Sequence, residues 1–190
     1  MTDGGDSIRV MHPLFFQVGD GGSIPTSPLQ LRIEPCHVRL ACALNELWHS
    51  RLPIVKEGNI LRNRRSVCFA AEYDGLFYAT ALWSDPVAAN RFDEGATMLE
   101  LRRLAIADDA PKNTATRMIK IMVMLIRRKF PDVTRLVSYQ DTEVHAGTIY
   151  KAAGWTQETV STLNEWDKGS RKRSAAQSSA PKIRWGKRLA

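Results

Sequence analysis

Residues 99–155 read LELRRLAIADDAPKNTATRMIKIMVMLIRRKFPDVTRLVSYQDTEVHAGTIYKAAGW, and this stretch decides the fold. Residues 98–106 have the composition of a strand, but Glu100, Arg102 and Arg103 interrupt the apolar residues, so one face is polar and reads as a working face. Residues 108–113 form a polar loop. Residues 114–129 carry apolar side chains at Met118, Ile121, Met122, Leu125 and Ile126, the spacing of one helical face, with methionine as core filler. Pro131 closes that helix, residues 133–139 return as a strand, and residues 145–153 form a short helix stopped by Gly154.

The flanks extend the same alternation. Residues 155–163 are strand-like, and residues 182–189 alternate Ile183, Trp185 and charge as a final strand that pairs with them. The basic segment 168–181 is then a loop between two strands. Upstream, Asp74-Gly75 between the runs 66–73 and 76–83 is a strong hairpin signal. Residues 29–33 read as a first strand and residues 36–50 as a helix, with Val38, Cys42, Leu44, Leu47 and Trp48 near helical period. That helix ends near His49, ahead of Pro53. Residues 56–65 are polar and basic, with Gly58 and Asn59 as turn formers. Residues 1–28, rich in Gly, Ser, Pro and Asp, read as a flexible arm with one apolar patch at Leu14-Phe15-Phe16. The order predicts one α/β domain over residues 29–190, a mixed central sheet flanked by helices. Such sheets place ligands where adjacent strands part at their C-terminal ends.

Composition narrows the function classes. The chain has 190 residues, 44% of them hydrophobic and 25% charged, the profile of a globular domain. Its apolar runs fall short of the roughly 20 residues that span a bilayer, which argues against a membrane partner. The N-terminus lacks a signal-peptide pattern. Three cysteines without a CxxC pair (Cys36, Cys42 and Cys68) suit a reducing compartment, the cytoplasm, with Cys36 and Cys42 buried on the helix as small hydrophobes. The net charge of +7 is concentrated near the C-terminus, at Lys168, Arg171, Lys172, Arg173, Lys182, Arg184, Lys187 and Arg188, against Glu165 and Asp167. That is either the footprint of a polyanion or a solubilising segment. Arg51, Lys56, Arg62, Arg64 and Arg65 make a second basic group. Together they outline a nucleic-acid track, on which Tyr139 would stack a base; Trp166 and Trp185 either stack or pack.

Leu101-Arg102-Arg103-Leu104-Ala105-Ile106, with the loop and long helix after it, resembles the donor-binding motif of the GNAT acyltransferase superfamily. The resemblance implies that the strand backbone at Arg103, Leu104, Ala105 and Ile106 holds an acyl-CoA-like donor, while amides at the helix N-terminus bind its pyrophosphate. Ala146-Gly147-Thr148-Ile149-Tyr150-Lys151-Ala152-Ala153-Gly154-Trp155 resembles the second motif of that superfamily, in which the tyrosine, here Tyr150, acts as general acid. The loop departs from the pattern: Pro111-Lys112-Asn113-Thr114-Ala115-Thr116 contains no glycine. Either Asn113 or Thr114 simply caps the helix, or Lys112, Asn113, Thr114, Ala115 and Thr116 form a modified anion site with a charge and hydroxyls.

A narrower resemblance covers about residues 31–155 and extends to the strand at Lys182-Ile183-Arg184-Trp185. Trp48-His49-Ser50-Arg51-Leu52-Pro53, Arg102-Arg103-Leu104, Pro111-Lys112-Asn113-Thr114-Ala115, Ser138-Tyr139-Gln140-Asp141 and Gly147-Thr148-Ile149-Tyr150-Lys151-Ala152 together resemble the phage Mom family. These GNAT-fold proteins modify adenine in DNA at N6 with an acetamido or carbamoylmethyl-type group that blocks restriction enzymes. The resemblance implies DNA as partner and a host-cell cytoplasmic location. An exocyclic adenine amine is a poor nucleophile, so a base is needed near N6 and an acid near the donor, usually with the target base outside the stack. His49 beside Ser50 and Asp141 are the candidates near the base, and Tyr150 near the donor; His145 is a weaker candidate. His49, Asp141 and Tyr150 have the N/O character iron prefers, but no metal-ligand spacing supports a site and none is assigned. The donor and the oligomeric state are not legible. Two rival readings stay open: an ordinary N-acetyltransferase acting on a protein or small amine, and a non-catalytic nucleic-acid-binding module on a GNAT fold.

Overall fold

In the computed structural model, which describes residues 24–49, 54–86, 97–143, 146–161 and 181–189, Asp74 and Gly75 take φ of 51° and 78°. Two successive positive φ values are what a two-residue hairpin turn of the right twist requires. They join β2 (Ser66–Tyr73) to β3 (Leu76–Ser84). The turn is tied down by the Gly75 N–H, which donates to Glu72 Oε1 at 2.7 Å. β1 (Arg32–Cys36) lies on the far side of β2, and β4 (Met98–Ile106) on the far side of β3.

The strand order is β1-β2-β3-β4-β5-β7-β6, with β5 at Arg135–Asp141, β6 at Thr156–Ser161 and β7 at Lys182–Arg188. Neighbours are antiparallel except β4 and β5, which run parallel. The parallel step is made by a crossover helix, as parallel pairing demands. That helix, α3 (Thr114–Lys129), turns Met118, Ile119, Met122 and Ile126 to the sheet, where all four are fully buried. Trp83 of β3 lies in the same cluster and donates from Nε1 to Met122 Sδ at 3.2 Å. Arg127, Arg128 and Lys129 occupy the last turn of α3, where cations complement the helix dipole.

The opposite face is covered by α1 (Val38–Trp48) and α2 (Glu57–Leu61). Val38 and Ala41 pack there with Val55, Ile60, Cys68 and Leu82. The sheet is therefore buried on both faces across β2 to β4, which accounts for the nearly unbroken buried run of β3. No described helix is long and apolar enough to cross a membrane.

Several boundaries differ from the sequence expectation. The first strand begins at Arg32, because Pro28–Gln30 is spent on a 3₁₀ turn capped reciprocally by Ser27 and Gln30. Cys36 ends β1 opposite Cys68 instead of starting the helix, and His37 caps α1 through its Nδ1. Burial pushes the Cys36 and Cys68 thiols up to about 12, so both behave as small hydrophobes. α2 replaces an expected turn: one short helix anchored by Ile60 shows no period. α4 spans Thr148–Ala152, later than expected, since Gly147 at φ +71° is its N-cap. β7 pairs with β6 as expected, and it also pairs with β5, so that it lies between the two. Residues 1–23 of the expected arm and most of the basic loop, 168–180, lie outside the described residues.

Two substitutions test this packing. Met122→Ala removes a fully buried side chain and is expected to cost about 2–5 kcal/mol in urea unfolding. Gly147→Ala would place a Cβ 2.3 Å from Gln140 Oε1 and 2.8 Å from the Trp185 ring, at a positive φ. It is expected to lower stability by about 1–3 kcal/mol in the same assay.

Candidate functional site

β4 and β5 pair only from Met98↔Arg135 to Leu101↔Ser138. At the next residue β4 bulges: Leu82 pairs with Arg103 and Trp83 with Leu101, leaving Arg102 without a partner on β3. A bulge bends a strand and re-aims it. Beyond it β4 continues to Ile106 against β3 alone, while β5 continues to Asp141 against β7. The two strands part, and the β4 edge over residues 102–106 faces the opening.

Tyr150 stands at the corner of this fork. Its hydroxyl lies 2.8 Å from Ser138 Oγ, on the last β5 residue paired with β4. The tyrosine is 7% exposed and Ser138 2%. The Tyr150 ring is stacked on Trp185 of β7, with centroids 5.5 Å apart and planes at 16°, and tilted against Trp155 at 5.8 Å. Trp185 is pinned in turn by Nε1 donating to Gln140 Oε1 at 2.7 Å. Burial raises the Tyr150 pKa and the Ser138 hydrogen bond opposes that rise. Gly154 at φ +73° ends α4, and the Trp155 N–H returns to the Tyr150 carbonyl, which brings Trp155 under the tyrosine.

The groove beside the fork has a volume of about 260 Å³ and is lined by Ile106, by Pro111 and residues 113–116, and by Thr148, Ile149 and Ala152. It therefore joins the end of β4, the N-terminus of α3 and α4. Asn113 takes φ 69°, a conformation glycine adopts most easily and asparagine next, so it performs the backbone task of a glycine in this loop. Its side chain makes no cap hydrogen bond. Thr114 does not cap the helix either: its hydroxyl donates to the Pro111 carbonyl at 2.6 Å, inside the loop. The Thr114 N–H bonds the same carbonyl and the Arg117 N–H bonds Asn113, so helix geometry leaves the Ala115 and Thr116 amides as the unpaired donors facing the groove. Lys112 is exposed just outside it.

The tandem arginines do not face this groove. Arg103 pairs with Leu82, whose side chain packs with α1 and α2, so Arg103 lies on that face of the sheet. Its Nη1 donates to the Arg102 carbonyl at 2.7 Å and its Nε is buried without a hydrogen bond. Burial, aided by Arg102 and opposed by Glu100, lowers its pKa to about 10. Arg102 donates to Ser84 Oγ at 3.0 Å and lies 3.8 Å from Glu100. Of the residues expected to contact a donor, Arg103, Leu104, Ala105 and Ile106 lie on the β4 edge at the opening, with the Arg103 side chain on the α1–α2 face.

Asp141 closes β5 in an ion pair with Lys182 and accepts from the Glu143 N–H at 3.1 Å. His49 ends α1, its N–H bonded to the Asn45 carbonyl, and so approaches from the face opposite α4. Tyr139 is half-buried and paired in register with Arg184. Arg64 is exposed, whereas Arg65 is ion-paired with Asp132. Ser50, Arg51, His145, Lys168, Arg171, Lys172 and Arg173 lie outside the described residues. Among the described residues no three His, Cys, Asp or Glu side chains are grouped to hold a metal. Ser138, Gln140 and Gly147 fall inside the motifs quoted above, but the sequence assigns them no role at the site. The signal that could have done so is spacing: Ser138 and Gln140 share one face of β5, two residues apart.

Comparison with solved structures finds the same architecture at low identity. A Bacillus subtilis acetyltransferase in complex with CoA superposes with a TM-score of 0.58 at 13% identity, covering 84% of this chain and 99% of that one. The Escherichia coli ribosomal-protein-S18-alanine N-acetyltransferase gives 0.55 at 13%, covering 82% and 92%. A GNAT family acetyltransferase from Elizabethkingia anophelis with acetyl-CoA bound gives 0.54 at 13%, covering 84% and 99%. The fold is that of the GNAT acetyltransferases. Comparison with curated proteins gives no match. The sequence profile of the Mom protein family matches residues 83–188, a span that begins on β3, ends on β7 and encloses the fork, the groove and the Ser138–Tyr150 pair. With more than half of its length inside that match, this chain belongs to the Mom protein family.

Proposed function

We propose that this protein is a group transferase that modifies adenine in DNA at N6 with an acetamido or carbamoylmethyl-type group and so shields the DNA from restriction. The observation that carries the reading is the Mom family match over the span that holds a buried tyrosine hydroxyl at the corner of a strand fork. The fork supplies what the chemistry needs on the donor side: a strand edge at residues 102–106, a groove beside it, and amides at the start of α3 for an anionic group. Lys112 adds positive charge at its mouth. An anionic, acyl-CoA-like donor would be held here by backbone groups of the β4 edge and of the α3 N-terminus, in place of a glycine cradle. Tyr150 gives a proton to the departing group, and the stacked Trp185 and tilted Trp155 keep water from its ring.

The acceptor reaches the fork from the α1 side, where the Arg103 Nε is buried without a hydrogen bond and His49 ends the helix. His49, Ser50 and Asp141 are the groups proposed to handle the adenine. Arg51, Arg64, Arg65 and Tyr139, together with the basic segment at Lys168, Arg171, Lys172 and Arg173, supply phosphate and stacking contacts.

Mass spectrometry of nucleosides from cells producing the protein is the direct test. A modified adenine present with the wild type and reduced at least about 100-fold by Tyr150→Phe is expected. Unmodified adenine with the active protein overturns the reading. Thr148→Trp, at an exposed position lining the groove, is expected to lower modification about 10-fold or more while leaving the melting temperature unchanged. In fluorescence anisotropy, replacing Lys168, Arg171, Lys172 and Arg173 with Ala is expected to weaken DNA binding. The slope of log K against log salt should flatten by roughly 0.9 for each phosphate that the variant no longer neutralises.

A further inference from the structure

Ser138 is a hydroxyl set among apolar neighbours. It faces the cluster that holds Leu101, Leu136, Tyr150, Trp155 and Trp185. A buried hydroxyl is costly there unless it is bonded, and its partner is the Tyr150 phenol at 2.8 Å. The phenol has one proton to give and two lone pairs to offer. If it donated to Ser138, that proton would be held inside the core and lost to chemistry at the fork. The reverse arrangement frees it.

We propose that Ser138 is a positioning residue for Tyr150: its O–H is donated to the phenolic oxygen, which leaves the phenolic proton directed into the opening between β4 and β5. This rests on Tyr150 being the acid of the proposed reaction. The rest of the phenol is already fixed. Trp185 lies flat against the ring, Gln140 holds Trp185, and Gly147 leaves the space that Gln140 and Trp185 occupy. The orientation of the hydroxyl is the freedom that remains, and Ser138 removes it. The groups in contact with Tyr150 (Ser138, Trp155 and Trp185) are uncharged.

The proton balance is simple. As the acceptor nitrogen forms its bond to the transferred carbon, the bond from that carbon to the departing group breaks. The departing group takes that electron pair and the phenolic proton, and the phenolic oxygen keeps the O–H pair and accepts a now charge-assisted bond from Ser138. The proton that the acceptor nitrogen releases to solvent restores the phenol. Burial holds the phenol in its protonated form, and Ser138 favours the ionised one. Removing Ser138 Oγ therefore moves the phenol further up and makes it a worse acid.

The test installs 3,5-difluorotyrosine at position 150 of the full-length protein and follows its fluorine resonance against pH. Ser138→Ala is expected to raise the apparent pKa of that phenol, and Ser138→Thr, which keeps the hydroxyl, to leave it near the wild-type value. In cells carrying the unlabelled variants, Ser138→Ala should reduce adenine modification about 10-fold, with Ser138→Thr restoring it. If Ser138→Ala fails to give a folded protein by circular dichroism, Ser138→Cys takes its place, with similar volume and a weak donor. An unshifted titration with undiminished modification overturns the positioning role and leaves Tyr150 standing. Undiminished modification in Tyr150→Phe overturns the reading of Tyr150 itself.

Discussion

Two parallel strands that pair for four residues and then separate set the terms for everything else in this structure. Backbone N–H and C=O groups need partners, and a strand leaving its neighbour exposes a row of them. β4 bulges at Arg102 and keeps β3 on its outer edge, and β5 keeps β7 on its outer edge from Arg135 to Asp141. Each strand stays anchored on that outer side, so the facing edges beyond Leu101 and Ser138 are left to line the opening. The groove, the exposed start of α3 and the corner occupied by Tyr150 all follow from where that separation begins.

The two faces of the fork have different chemistry. On the α3–α4 face the polar groups around the groove are largely backbone amides and short hydroxyls, carried by Asn113, Thr114, Ala115 and Thr116. On the α1–α2 face they are charged side chains: Glu100, Arg102 and Arg103 on a strand otherwise built of apolar residues. The glycine-free loop illustrates how sequence can depart from a pattern while the backbone does not. Asn113 takes the left-handed conformation, and Thr114 turns its hydroxyl inward, so the chain reaches the same helix start with more atoms in the way.

Much of the architecture is legible from local signals. Asp74-Gly75 specifies a turn by its own conformational preferences, the α3 stripe is long enough for its period to be unmistakable, and Gly154 marks a helix end. α2 is not legible, because five residues at Glu57–Leu61 span little more than one turn and only Ile60 is buried. Cys36 misleads for a related reason: an apolar residue at a boundary fits strand or helix equally well, and the tertiary pairing with Cys68 decides. The position of Tyr150 in its motif is plain, but its partner is not. The hydrogen bond to Ser138 joins α4 to β5 and depends on how α4 docks, which no periodicity encodes. The insertion of β7 between β5 and β6 is likewise a matter of sheet order, to which the alternation of a single strand is blind.

That insertion bears on how the molecule is made. β7 follows both β5 and β6 in chain order, yet it sits between them in the sheet and carries the tryptophan that lies against Tyr150. β5 and β6 have no direct pairing to fall back on, since each is bonded to β7. During synthesis the β1–β4 hairpins and α3 can assemble as they emerge, but the far wall of the fork must wait for residues 182–188. The corner occupied by Tyr150 is thus completed only when residues 182–188 have paired, and until then the tyrosine lacks the tryptophan that stacks on it.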